Sequence, residues 1–254
     1  MGVWPIWRRD FIRFYRQPNR VGGALGAPLL LWLFIGAGFG DAFSPPADIE
    51  MGYLEYFFPG FIALVVLFTS IFSAMSIIED RREGFLQSVL AAPVSRAAIV
   101  TGKALSASSQ ALAQSLIALI PAFFFLDDFS AAKAGYILAA LAALSFGLSA
   151  FGLAMAWRMD STQAYHSVMN LILMPMWLLS GAMFPLTTAP EWMSWLMRFN
   201  PLFYAVAALR SSFYGVEEAE ALTGVSTVWA AGVAIAFGLV GFAAAVWAAQ
   251  RPEA

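Results

Sequence analysis

Few side chains in this chain could do covalent chemistry. There is one histidine, His166, and no cysteine. Thiol catalysis, zinc-thiolate sites and disulfides are therefore excluded. No Ser/His/Asp arrangement, no HExxH and no paired carboxylates within an apolar run are present. Gly102-Lys103 is followed by Ala104, with no glycine at the offset that a phosphate-cradling loop needs, so no nucleotide site is expected here. His166 stands at the edge of an apolar run, where a lone histidine reads as an interfacial residue. What remains is two blocks suited to docking and gating. In the first, the charges Glu79, Asp80, Arg81, Arg82 and Glu83 precede Gly84, an apolar stripe of Phe85, Leu86, Val89 and Leu90, and Pro93, which stops the helix. Such a helix could insert its stripe into a groove of a partner protein, or turn the chain and pack on itself. The second block holds Gly181, Phe184, Pro185, Pro190, Trp192, Asn200, Pro201, Tyr204 and Arg210. Pro190 suits the first position of a helix with Glu191 in its first turn, and Asn200-Pro201 breaks that helix and starts another. Two short helices at a membrane face, anchoring or gating, are expected from this pattern, with Trp192 and Trp195 at the headgroup boundary.

The elements that must position these blocks follow from composition. Of 254 residues, 61% are hydrophobic and 12% charged, and the mean hydropathy is +0.74. A soluble domain carries about 25% charge. One core cannot hide this much apolar surface, and disorder needs the opposite composition. The class that remains is a polytopic membrane protein. A net charge of −2 gives no nucleic-acid footprint. Six charge-free runs, 21–40, 57–78, 104–126, 135–157, 166–184 and 227–249, are each near the ~20 residues needed to cross the hydrocarbon as a helix. They are continuous rather than alternating, which favours helices over barrel strands. The first is too long for a signal peptide and is read as a real span.

Six spans put both termini on one side. Eleven Lys and Arg fall there, in the N-terminal segment, the 79–103 loop, Arg158 and Arg251; only Lys133, Arg198 and Arg210 fall opposite. The termini are therefore expected to be cytoplasmic. Residues 199–209 form an uncharged run too short to span, read as re-entrant; a crossing there would make seven spans. Residues 4–16 place Trp4, Trp7, Phe11, Phe14 and Tyr15 on one arc and Arg9, Arg13 and Arg16 opposite, as in an amphipathic helix lying among anionic headgroups. Gly36 and Gly40 form a GxxxG that allows close helix contact.

The two blocks together resemble those of ABC type-2 exporter permeases: drug-resistance permeases of the daunorubicin kind, nodulation-factor exporters and O-antigen exporters. The run from Glu79 to Arg96 with Gly102-Lys103 is similar to the family's charged-Gly-Thr-apolar pattern ending in Pro-Val-Ser, with Phe85 in place of the Thr. Ser180-Gly181 through Phe184-Pro185, Pro190-Glu191-Trp192, Asn200-Pro201-Leu202-Phe203-Tyr204 and Arg210 match the second pattern. The resemblance implies an all-α membrane domain over 1–254, with six transmembrane helices, an N-terminal interfacial helix, a coupling helix and two short re-entrant helices at 185–213. It implies a dimer with a like or similar chain, and two ABC ATPase subunits that carry the ATP and Mg; no cofactor is expected on this chain. Glu79, Arg82, Glu83, Gly84, Phe85, Leu86, Val89, Leu90 and Pro93 would couple to the ATPase, and the second block would gate the outer end. Thr69, Ser70, Ser73, Ser76, Asn170 and Ser180 are polar candidates for the path. The location implied is a bacterial cytoplasmic membrane. An intramembrane enzyme lacks its residues here; a scaffold that recruits a cytoplasmic protein through 79–103 is the competing reading.

Overall fold

The computed structural model describes residues 2–40, 51–124 and 130–251, which form helices and turns with no strand among them. An interfacial-length helix, α1 (Val3–Tyr15), precedes α2 (Pro18–Phe39), α3 (Tyr53–Arg82), the short α4 (Phe85–Ala91), α5 (Arg96–Ala118) and α6 (Ala131–Ala156). Then come α7 (Thr162–Leu178), α8 (Glu191–Phe199), α9 (Pro201–Tyr214), α10 (Val216–Thr223) and α11 (Thr227–Gln250). Single 3-10 turns lie at Ile120–Phe124 and Leu186–Thr188. Four helices, α2, α3, α6 and α11, are long and apolar enough to cross a membrane.

The core is built around α3. In its most apolar stretch 78% of the residues are buried, against 22% in α2 and 28% in α11. α3 therefore faces protein on nearly all sides, while α2 and α11 turn broad faces outward. α2, α5, α6, α7 and α9 all pack against α3. α2 and α7 each contribute one narrow stripe at four-residue spacing: Ala24, Pro28, Trp32 and Gly36 in one, Tyr165, Met169, Leu173 and Trp177 in the other. On the far side α6 and α11 approach closely through small residues; a Cβ on Gly241 would come within 3.1 Å of the Phe151 backbone. This is how apolar helices associate in lipid, by van der Waals fit at small residues.

Several boundaries differ from the sequence reading, α3 among them, which runs on through Arg82 and takes in the first charges of the 79–103 block. The third apolar run begins at 104, but α5 starts eight residues earlier, at Arg96, capped by the Ser95 hydroxyl accepting from the Ala98 N–H. The helix takes in Lys103 because its charge is matched by carboxylates on other helices. At the far end α5 stops at Ala118, and Pro121 falls in the 3-10 turn that follows. α7 ends at Leu178 rather than 184, because the chain turns at Gly181, whose φ of +74° suits only a residue without a Cβ. Residues 185–213 hold two short α-helices, α8 and α9, and a third, α10, follows them. Residues 125–126, the end of the third apolar run, lie outside the described residues.

Candidate functional site

Two polar clusters sit at opposite ends of α3, at Asp80 and at Tyr56. Twenty-four residues of helix separate them, roughly 36 Å at 1.5 Å per residue.

The first cluster is ionic. Asp80 is fully buried. Arg9 donates to both its oxygens, Nη2 to Oδ1 at 2.6 Å and Nη1 to Oδ2 at 2.9 Å. Arg13 donates to Oδ1 at 3.0 Å, and Lys103 Nζ to Oδ2 at 2.6 Å. Lys103 also donates to Asp10 Oδ2 at 2.8 Å and to Ser76 Oγ at 3.3 Å. Arg9 Nη1 closes the ring on Asp10 Oδ1 at 2.9 Å. At the rim Arg13 meets Glu83 at 2.8 Å and Glu79 at 3.3 Å, and Arg20 pairs with Glu79. Below the ring Gln110 donates to the Asp10 carbonyl at 3.2 Å and accepts from the Ser73 hydroxyl. Buried ions persist only where partners and hydrogen bonds replace their water, and here both buried carboxylates, Asp80 and Asp10, have more than one donor. The hydrogen bonds that Arg9 donates to Asp80 raise its pKa above its ordinary value, against the opposing effect of burial.

Local sequence explains why the ring closes. Ile6, Asp10 and Phe14 recur at four-residue spacing and form the buried stripe of α1. Gly102 lets α1 lie against α5, since a Cβ there would meet the Val3 carbonyl oxygen at 3.0 Å and Ile6 at 3.1 Å. Lys103, the next residue, supplies the charge. The basic face of α1 was expected to meet anionic lipid; Arg9 and Arg13 are instead turned to protein carboxylates. Of the aromatic arc, Trp4 is exposed and heads a stack of half-buried rings, with Trp4–Trp7 centroids at 4.5 Å, Trp7–Phe11 at 5.4 Å and Phe11–Tyr15 at 5.0 Å, while Phe14 is buried.

α4 hangs from this ring. Gly84, at φ +77°, makes the sharp turn out of α3. The Arg9 guanidinium lies 3.6 Å above the Phe85 ring, a cation–π contact that joins α1 to α4. The stripe is not free for a partner: Leu86 is buried, and Val89 and Leu90 pack partly buried on the core. The face turned outward carries Gln87, Ser88, Ala91, Ala92 and Pro93, flanked by Arg82 and Glu83. Ala92 is extended at ψ 157°, as the residue before a proline prefers.

The second cluster has a cation and no carboxylate. Arg210 on α9 is 1% exposed. It donates to Tyr56 Oη at 3.2 Å, the Tyr56 carbonyl at 3.1 Å and the Gly181 carbonyl at 3.0 Å. Its guanidinium lies 4.1 Å from the Tyr56 ring centroid, and Tyr56 Oη donates to the Gly181 carbonyl at 2.8 Å. Pro59 has no N–H, so the Glu55 carbonyl loses its helical partner; the Tyr214 hydroxyl donates to it at 2.6 Å instead. Asn200 works both ways. Its side-chain oxygen accepts from the Leu202 N–H at 3.0 Å, capping α9, and its amide donates to the Met176 carbonyl near the end of α7 at 2.5 Å. Tyr204 donates to the Arg198 carbonyl at 2.7 Å. Gly60 packs so tightly that a Cβ would lie 2.8 Å from the Ala182 Cα. Pro185 is buried, Phe184 half-buried, and Trp192 on α8 is exposed beside Pro190, which caps rather than opens that helix.

The path candidates separate. Ser70 and Ser149 hydrogen-bond across helices at 3.1 Å, Thr69 bonds the Val65 carbonyl, Ser180 the Trp177 carbonyl, and Ser73 and Ser76 belong to the ionic cluster. All of these are packed within one copy of the chain. Asn170 alone is exposed, on an open groove with Gln163, His166 and Ser167.

Asp10, Asp80, Lys103, Arg9, Arg13 and Tyr56 were not singled out from sequence as site residues. The available signal was Asp10 standing between Ile6 and Phe14 on an otherwise apolar helix stripe.

Residues 1–214 match the family model described as ABC-2 type transporter. The chain is 27% identical over 207 residues to a protein of Cyanophora paradoxa named as a transport permease, ycf38, covering 80% of this chain and 71% of that one. It is 24% identical to the ycf38 protein of Porphyra purpurea, covering 80% and 70%. Nodulation protein J of Rhizobium leguminosarum bv. viciae is 23% identical over 216 residues, covering 83% and 81%. An all-helical membrane domain with its charged ring and its carbonyl-bound arginine thus coincides with a match over most of its length, and the chain belongs to the ABC-2 type transporter family.

Proposed function

We propose that this chain is the membrane-spanning permease subunit of an exporter driven by a separate ABC ATPase. Two copies of the permease, or one copy and a similar chain, would pair with two ATPase subunits that bind the ATP and Mg. In this reading α2, α3, α5, α6, α7 and α11 make six crossings of a bacterial cytoplasmic membrane with both termini inside, and α8 to α10 re-enter from outside. The cargo would be amphiphilic, drug-like, lipid-like or a glycoconjugate, since the apolar runs hold no Asp, Glu, Lys or Arg to handle a small ion.

The observation that carries the proposal is the ionic ring. It clamps α1, the end of α3 and the start of α5 together, with α4 attached through Arg9 and Phe85. A push on the exposed face of α4 would therefore reach α3 as a rigid displacement and, at its other end, the Arg210 cluster. The ATPase would meet Gln87, Ser88, Ala91, Ala92 and Pro93, while Leu86, Val89 and Leu90 hold the helix in place.

The test is purification of tagged protein from its native membrane in mild detergent, with Gln87→Glu/Ala91→Glu as a paired variant. Recovery of a stoichiometric ATPase with the wild type, and its loss from a variant that remains folded, is the expected outcome. Reproducible recovery of an intact dimer without any ATPase would overturn the proposal in favour of a scaffold.

A further inference from the structure

A groove of about 360 Å³ lies between α6, α9 and α11. Its size falls within the ~300–1,000 Å³ of small-ligand sites. The walls are mostly small residues: alanines such as Ala139 from α6, Ala208 from α9 and Ala231 from α11, with Ser211 and Ser212 of α9, whose hydroxyls are taken up by backbone carbonyls of their own helix. Three helices that could have met through larger side chains instead leave a slot. It opens between α6 and α11, whose Tyr136 and Ile235 at its edges are 70% and 54% exposed. Those two helices cross the membrane, so the slot opens to hydrocarbon rather than to water.

Its upper end is polar. The Thr227 hydroxyl oxygen is buried and has no hydrogen-bond partner. A buried hydroxyl left so is destabilising, and an oxygen acceptor delivered with an apolar chain would satisfy it. Lys133 stands one helical turn before Tyr136 on the same face of α6 and forms no ion pair with the described residues. On the opposite lip, Val216 lines the groove and is followed by the exposed Glu217 and Glu218. A cation on one lip, carboxylates on the other, an orphan donor beneath them and an apolar slot below match one kind of molecule.

We infer that the groove holds one acyl chain of an amine-bearing zwitterionic phospholipid, in the leaflet opposite the ionic ring. The lipid phosphate faces Lys133, its ammonium faces Glu217 and Glu218, and an ester oxygen accepts from Thr227. The groove floor is α9, the helix that carries Arg210, so the lipid also supports the back of the carbonyl-bound cluster. This reading needs the membrane domain alone and does not depend on transport.

The test is native mass spectrometry of the full chain, reconstituted in nanodiscs of equal phosphatidylethanolamine and phosphatidylglycerol and then released. Wild type should keep phosphatidylethanolamine in preference to phosphatidylglycerol. Ala139→Phe, a rim change that fills the slot without entering the core, should lose it. Lys133→Ala, outside the packed core, should keep its fold and lose the preference for the amine-bearing lipid. Equal retention of both lipids by wild type, or unchanged retention by folded Ala139→Phe, would overturn the assignment. Release of detergent alone from the wild-type groove would overturn it equally.

Discussion

Both ends of α3 bury positive charge, and they neutralise it by different means. At one end Arg9, Arg13 and Lys103 surround Asp80 and Asp10. At the other, Arg210 meets two backbone carbonyls, a phenol and an aromatic face. The ionic end is matched in charge, so its stability is set by balance: removal of one partner strands another. The carbonyl end is matched in geometry. Gly181 offers a fixed acceptor just past the C-terminal end of α7, where carbonyls lack partners and the dipole favours a cation, and Tyr56 in the first turn of α3 adds its carbonyl, hydroxyl and ring. A charge-matched joint can be rebuilt by exchanging partners; a carbonyl joint cannot.

The largest effect is expected from Asp80→Asn, which leaves Lys103 buried with Asp10 alone. About 3–5 kcal/mol should be lost, as when a buried pair is broken from one side. Thermal unfolding in mild detergent measures it. The double variant Asp80→Asn/Lys103→Met should recover a substantial part, and no recovery would break the distinction drawn between the two ends. Arg210→Met should cost less, about 1–3 kcal/mol, since three hydrogen bonds to the guanidinium are lost while the Gly181 carbonyl keeps the Tyr56 hydroxyl as donor. Arg210→Lys should rescue little, because an ammonium cannot reproduce the planar fork.

A smaller effect sharpens the carbonyl end. Tyr214→Phe should cost about 1 kcal/mol by orphaning the Glu55 carbonyl. In a Pro59→Ala background the helix regains its own N–H for that carbonyl, and the same change should be nearly silent; equal costs in both backgrounds would disprove the pairing. Smallest is the response to salt. The rim pair of Arg13 with Glu83, a carboxylate more than half exposed, should weaken by no more than about 1 kcal/mol as salt rises. The melting temperature of Arg210 variants should show no added salt dependence.

How much of this was readable beforehand differs between the ends. The apolar runs located the long helices, because lipid demands continuous apolar segments. They misplaced α5, since a charge-free criterion cannot admit a lysine whose partners come from other helices. The carbonyl end was partly legible: Gly181, Asn200-Pro201 and Arg210 are turn, cap and lone cation, types with few alternative uses. Its acceptors were not, because backbone carbonyls leave no trace in composition. The stripe of Phe85, Leu86, Val89 and Leu90 was found, yet its direction was not. An apolar face reads the same whether it meets a partner or its own chain. Asp80 lay unnoticed within a run of charges because nothing in spacing marks which member of such a run is buried.

The order in which the ring's members are made sets a condition on assembly. Arg9 and Asp80 are 71 residues apart, and Lys103 and Asp10 are 93 apart. At roughly 5–20 residues per second, several seconds separate the synthesis of α1 from that of its partners. During that interval α1 carries unmatched arginines beside a stacked aromatic face, and the membrane surface is the one place that suits both. Its later transfer from lipid headgroups to Asp80 exchanges one set of anions for another. The last-made parts of the ring therefore decide when the first-made helix leaves the surface, and a chain stalled before Lys103 would keep α1 outside the fold.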